Sequence, residues 1–155
     1  GDQPFIDPKI IDLMADQFVN RSPTPSVLTP IYRLPPDKIH NPNVVKTLLS
    51  QDGRAIYFSR SALPHVRGEK PEDWSSKATF WGHVGIYGYR GDVLQGWNNL
   101  PDSPLERIER LEQLRLIEAG IDIGTFIVDG ESLSVDTYDQ LEQARRIAHA
   151  SESGT

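Results

Sequence analysis

Cysteine is absent from all 155 residues. That excludes a disulfide framework, a thiolate nucleophile and any Cys-based zinc site, so a bound metal must be held by oxygen or imidazole. The four histidines, at 40, 65, 83 and 149, show no ligand spacing. No apolar run approaches the ~20 residues that a membrane span needs, and the first residues carry no charged-then-apolar leader pattern. Positive charge is also scarce, since 16 Lys and Arg face 22 Asp and Glu for a net charge of −6. Such a balance argues against a general affinity for nucleic acid or an anionic membrane. The expected partner is a small molecule or another protein, and the expected setting is the cytoplasm. Neither G-x-G-x-x-G nor G-x-x-x-x-G-K occurs, so no glycine-rich phosphate loop is present.

What is there suits one globular domain over 1–150, with 37% hydrophobic and 25% charged residues and a frayed tail over 151–155. PKIIDLMADQF (8–18) places Ile10, Ile11, Met14 and Phe18 at helical spacing, with Asp7 as N-cap and Pro8 at the first helical position. SVLTPIYR (26–33) is strand-like, but Pro30 lacks a ladder donor and predicts an edge or irregular segment. VVKTLLSQDGRAIYFSR (44–60) predicts two strands joined through Asp52-Gly53. Residues 61–79 hold two prolines and many charges, which predicts a long excursion, functional or an interface arm, with Trp74 and the nearby Trp81 as candidate contacts.

FWGHVGIYGYR (80–90) predicts a strand with Phe80, Val84 and Ile86 on a core face and Trp81, His83, Gly85, Tyr87 and Tyr89 on the other. The second face is either an ordinary half-exposed surface or the floor of a ligand site, with Gly85 leaving room for close approach. SPLERIERLEQLRLIEAG (103–120) predicts one helix with a Ser103/Glu106 capping box, Pro104 at its start and Gly120 at its end. Its apolar arc is Leu105, Ile108, Leu111 and Leu116, and Glu112 and Arg115 fall on the same arc. They read equally as an internal ion pair or as pocket residues. IDIGTFIV (121–128) predicts a buried strand, and a final helix follows Thr137. Asp136 stands where a strand hands over to that helix, either as a cap or at a ligand-binding position. Strands alternating with helices make the fold class α/β, and two isolated aspartates, Asp2 and Asp136, suit a shared Mg²⁺.

GDQPFI, NPNVVK, YFSRS, HVGIYGYR, SPLERIERLEQLR and SVDT, in this order and over nearly the whole chain, closely resemble the 3-deoxy-manno-octulosonate cytidylyltransferases, the CMP-Kdo synthetases of lipopolysaccharide synthesis. The resemblance implies a nucleotide-sugar-transferase-like, Rossmann-like mixed sheet with flanking helices. It begins partway through the family pattern, after the α/β unit whose Pro-Ala-Arg loop holds the CTP phosphates. The fold is therefore expected to be incomplete at the N-terminus, and the chain alone to be poorly active or inactive. By resemblance Asp2 and Asp136 are the catalytic carboxylates that ligate Mg²⁺. Arg60, Arg67, His83, Tyr87, Glu112 and Gln113 bind the sugar acid, and CTP and Kdo are the small-molecule partners of a homodimer. The alternatives are a cytidylyltransferase for sialic acid or amino-Kdo, and an inactive fragment that binds a sugar acid.

Overall fold

Helix α1, Pro8–Asn20, starts where Asp7 Oδ1 accepts from the Lys9 amide at 3.0 Å, and its buried face is Ile10 and Met14. The computed structural model describes residues 7–130. After α1 come β1 (Val27–Arg33), β2 (Lys46–Leu49), β3 (Ala55–Ser59), β4 (Trp81–His83), β5 (Gly88–Tyr89), and α2 (Gly91–Gln95). Next follow α3 (Pro104–Glu109), α4 (Leu114–Glu118) and β6 (Ile123–Ile127). The strands form one mixed sheet in which β3, β2, β4 and β1 lie side by side, β5 continues the β4 edge along β1, and β6 runs parallel to β1 on its other edge.

Both sheet faces are covered, and side-chain alternation sorts the strands between them. Leu28, Val84, Ile86 and Phe126 pack with Ile10 and Met14 of α1. On the opposite face Val27, Phe58, Tyr87, Tyr89 and Ile123 pack with Leu111, Leu114 and Leu116. At roughly 1.5–3 kcal/mol for each fully buried large apolar side chain, these two layers are the main cohesive term. Gly88 lets α1 approach, because a Cβ there would lie 2.5 Å from Phe18 Cε2 and 2.6 Å from Met14 Sδ. The hairpin of β2 and β3 turns through Gly53 at φ +86°, and the Gly53 carbonyl accepts from Thr125 Oγ1 at 2.6 Å, tying the tip to β6.

Pro30 is not at an edge. β1 is hydrogen-bonded on both sides, to β4 and β5 on one and to β6 on the other. The ring is tolerated because the chain opposite it bulges between β4 and β5. The Val84 amide donates to Pro30 O at 3.3 Å, and the Val84 carbonyl, which would pair with an amide at position 30, accepts instead from Ile86 N at 2.7 Å and Thr29 Oγ1 at 3.2 Å. The same bulge divides the expected strand 80–90 into β4 and β5. Its aromatic face is core rather than half-exposed at Tyr87 and Tyr89, which retain 1% and 2% exposure.

The expected helix over 103–120 is two. Ser103 Oγ accepts from Glu106 N as the capping residue should, but Arg110 takes the left-handed conformation at φ 58° and the chain turns into α4. Gly120 at φ +78° closes α4, with Ile121 N donating to Leu116 O at 3.0 Å. The kink moves Ile108 to the surface at 76% exposure and gives Arg115 a partner other than Glu112. Its Nε and Nη2 donate to Glu106 Oε1 at 3.0 and 2.9 Å. The excursion of 61–79 folds back on its own chain, where Trp74 is buried against Leu34, Ile39 and Phe80. Among the described residues no helix is long and apolar enough to cross a membrane.

Candidate functional site

The site grows around Phe58 on β3 and the bulge between β4 and β5. Phe58 meets the His83 ring edge-on at 4.7 Å, and His83 lies 5.5 Å from the Tyr87 ring. The aromatic series continues through Tyr89 and Trp97, with centroids 5.9 Å apart at each step, to the Arg115 guanidinium 5.4 Å from the Trp97 ring. Gln113 is 4% exposed, and Leu111 and Leu114 on either side of Glu112 and Gln113 enter the same cluster as Phe58 and Tyr87. Glu112 is half-buried.

Arg60 fastens this corner. A left-handed residue at Arg110 costs roughly 1–2 kcal/mol, and the last carbonyls of α3 have no intrahelical donors. Arg60 supplies them: Nε donates to Glu109 O at 3.0 Å and Nη2 to Arg110 O at 3.4 Å, while Nη1 donates to Pro42 O at 3.2 Å. One N–H remains on each terminal nitrogen. The Glu109 carboxylate completes the joint, taking the Arg60 amide at 3.0 Å and the Tyr57 hydroxyl at 3.1 Å.

The His83 and Tyr87 rings are thus neighbours, Arg60 joins the end of β3 to the end of α3, and Glu112 and Gln113 follow that turn. Arg67 is exposed on the 61–79 excursion. Asp2 and Asp136 lie outside the described residues, and among those described no three His, Asp or Glu assemble as a metal site. Three further residues support the site without having been singled out by sequence. Thr29 Oγ1 lies 2.8 Å from His83 Nε2. Glu109 joins α3 to β3. Lys46, fully buried, donates from Nζ to Asn41 O at 2.6 Å and Arg60 O at 2.9 Å. A lysine in NPNVVK with strand on both sides was the available signal for the last, and Thr-Pro within a strand for the first.

Burial, followed by its bond to Glu109, raises the Tyr57 phenol above its ordinary range, and burial alone raises Tyr32. The unfolded chain therefore loses these protons first. Their stabilising contribution is complete below about pH 10 and is lost as pH rises through the folded values. Lys46 runs the opposite way, being lowered by burial and then by the Arg60 charge. Tyr57→Phe is expected to flatten the alkaline loss of stability, measured as denaturant midpoints from pH 8 to 11 beside wild type. An unchanged slope would show that this phenol does not titrate differently on folding.

A family model described as cytidylyltransferase matches residues 1–123. The chain belongs to the cytidylyltransferase family. Among its relatives, 3-deoxy-manno-octulosonate cytidylyltransferase of Chlorobaculum tepidum is 41% identical over 150 residues, covering 95% of this chain and 58% of the relative. The protein of that name from Parabacteroides distasonis is 38% identical over 147 residues, with 93% and 59% covered. A solved structure of CMP:2-keto-3-deoxy-manno-octonic acid synthetase complexed with CTP aligns with a TM-score of 0.76 and 38% identity, over 94% of this chain and 58% of that one. This cytidylyltransferase chain therefore spans less than two thirds of the length of these relatives, and it shares their mixed α/β architecture.

Proposed function

We propose that this chain supplies the sugar-acid side of a cytidylyltransferase that joins CMP from CTP to the anomeric hydroxyl of Kdo, releasing pyrophosphate. The observation that carries the reading is the 38% identity and TM-score of 0.76 with a CMP-Kdo synthetase bound to CTP, on a chain whose His83 and Tyr87 rings are neighbours. Kdo is a polyol with a carboxylate. His83 and Gln113 offer hydrogen bonds to its hydroxyls, with Tyr87 packed beneath His83, and the two remaining Arg60 N–H groups, with Arg67, answer its carboxylate. Glu112 accepts from a sugar hydroxyl. Asp2 and Asp136 would hold Mg²⁺ through hard oxygen donors, and the ion would supply a lowered pKa for the attacking hydroxyl and neutralisation of phosphate charge. The chain's own part is positioning for in-line displacement, without a covalent intermediate. A homodimer in the cytoplasm belongs to the same reading.

The test is pyrophosphate release in the protein at the full length of its relatives, with CTP, Mg²⁺ and either Kdo, amino-Kdo or sialic acid. Kdo is expected to be preferred. Asp136→Asn is expected to lower turnover about 10²-fold or more, since a metal ligand acts on several kcal/mol of charge stabilisation, with little change in Tm. Normal turnover with a large fall in Tm would make Asp136 a helix cap instead.

A further inference from the structure

One hydroxyl in the core has three polar neighbours and one proton to give. Thr29 Oγ1, on a fully buried residue of β1, lies 2.7 Å from the Ile86 carbonyl, 3.2 Å from the Val84 carbonyl and 2.8 Å from His83 Nε2. The two carbonyls accept only, so the hydroxyl proton belongs to them; the shorter contact, to Ile86, is the stronger bond. Were it donated to the imidazole instead, Oγ1 would face a carbonyl oxygen at 2.7 Å with no hydrogen between them. Nε2 must therefore bring its own proton, which in the neutral ring is the Nε2–H tautomer.

The backbone explains why the hydroxyl is needed there. Pro30 has no amide to give, the bulge turns Ile86 N onto Val84 O at 2.7 Å, and the Ile86 carbonyl is left facing β1. Thr29 fills that opening, and Phe58 at 4.7 Å and Tyr87 at 5.5 Å hold the imidazole from its sides. We propose that Thr29 is a positioning residue for His83: by receiving Nε2–H it fixes the tautomer and the ring orientation with which His83 meets the polyol substrate. This rests on the reading of His83 as a sugar-acid ligand.

Two measurements on the protein at the full length of its relatives decide it. With ¹⁵N-labelled histidine, two-bond ¹H–¹⁵N spectra of unliganded protein at a pH where His83 is neutral are expected to show a protonated Nε2 and a bare Nδ1. Thr29→Val is expected to mix the tautomers and raise the Kdo KM about tenfold, with the CTP KM little changed. Thr29→Ser, which keeps the hydroxyl, is expected to restore both. A wild-type ring protonated at Nδ1 overturns the proposal, as does a Val variant whose Kdo KM equals that of wild type. Should Thr29→Val fail to fold, the wild-type spectrum and the Ser variant still decide. A wild type inert toward Kdo overturns the sugar-acid reading, while the nitrogen shifts separately show whether Thr29 locks the ring.

Discussion

Lys46→Ala is expected to lower the free energy of unfolding by about 2–5 kcal/mol, a large share of the 5–15 kcal/mol typical of a domain. The side chain has no exposure, and no carboxylate is within salt-bridge distance among the described residues. Its ammonium is held by two carbonyls, of Asn41 at 2.6 Å and Arg60 at 2.9 Å. Alanine deletes the apolar stem, leaving a cavity, and strands two half-buried carbonyls, each at no more than roughly 1–3 kcal/mol. Lys46→Met separates these terms. It fills the volume and removes the cost of burying a charge, yet leaves both carbonyls without a donor, so its stability is expected between those of alanine and wild type. Urea unfolding of the three proteins checks the order. Methionine equal to lysine would mean that the carbonyl bonds contribute nothing net. Because Arg60 O is one of the two acceptors, Lys46→Met is also expected to loosen the Arg60 corner.

Elements with local causes were legible in the sequence. Asp7-Pro8 starts α1, Asp52-Gly53 turns the hairpin, Ser103 caps α3 and Gly120 ends α4, each through chemistry within a few residues. What was not legible depends on partners far along the chain. Pro30 sits in a central strand because residues 84–86 bulge opposite it. The helix break at Arg110 has no glycine or proline to announce it; it is held by Arg60, fifty residues earlier, and by the burial of Leu111, Leu114 and Leu116. Once the helix is broken, the 100° wheel that paired Glu112 with Arg115 and buried Ile108 no longer applies. The site divides likewise. The strand pattern did place His83 and Tyr87 on one face, whereas the Thr29 hydroxyl and the Glu109 carboxylate acquire their roles only when β1, β3 and α3 are assembled.

Gly82→Val is expected to destabilise the fold by about 3 kcal/mol or more, at the upper end of overpacking costs. A Cβ at position 82 would lie 2.6 Å from Tyr32 Cζ, 2.7 Å from Tyr32 Cε1 and 2.9 Å from Leu34 Cδ2, before the valine methyls are added. Relief must come from the backbone or from the ring. The backbone is fixed, since Gly82 pairs with Tyr32 on β1 and with Lys46 on β2. The ring packs against both the Ile10/Met14 cluster and the Leu34/Trp74 cluster, which limits its movement. Tyr32→Leu removes the obstructing ring, so the double variant Gly82→Val/Tyr32→Leu is expected to be more stable than the sum of the single losses predicts, by about 1 kcal/mol or more. Strict additivity in thermal or urea unfolding would place the valine clash elsewhere. Gly82 also precedes His83 on β4, so the displaced strand carries the imidazole away from Thr29. In the Gly82 variant the ¹⁵N signature of the Nε2–H tautomer is expected to be lost even at temperatures where the protein remains folded, and to return when Tyr32 is shortened.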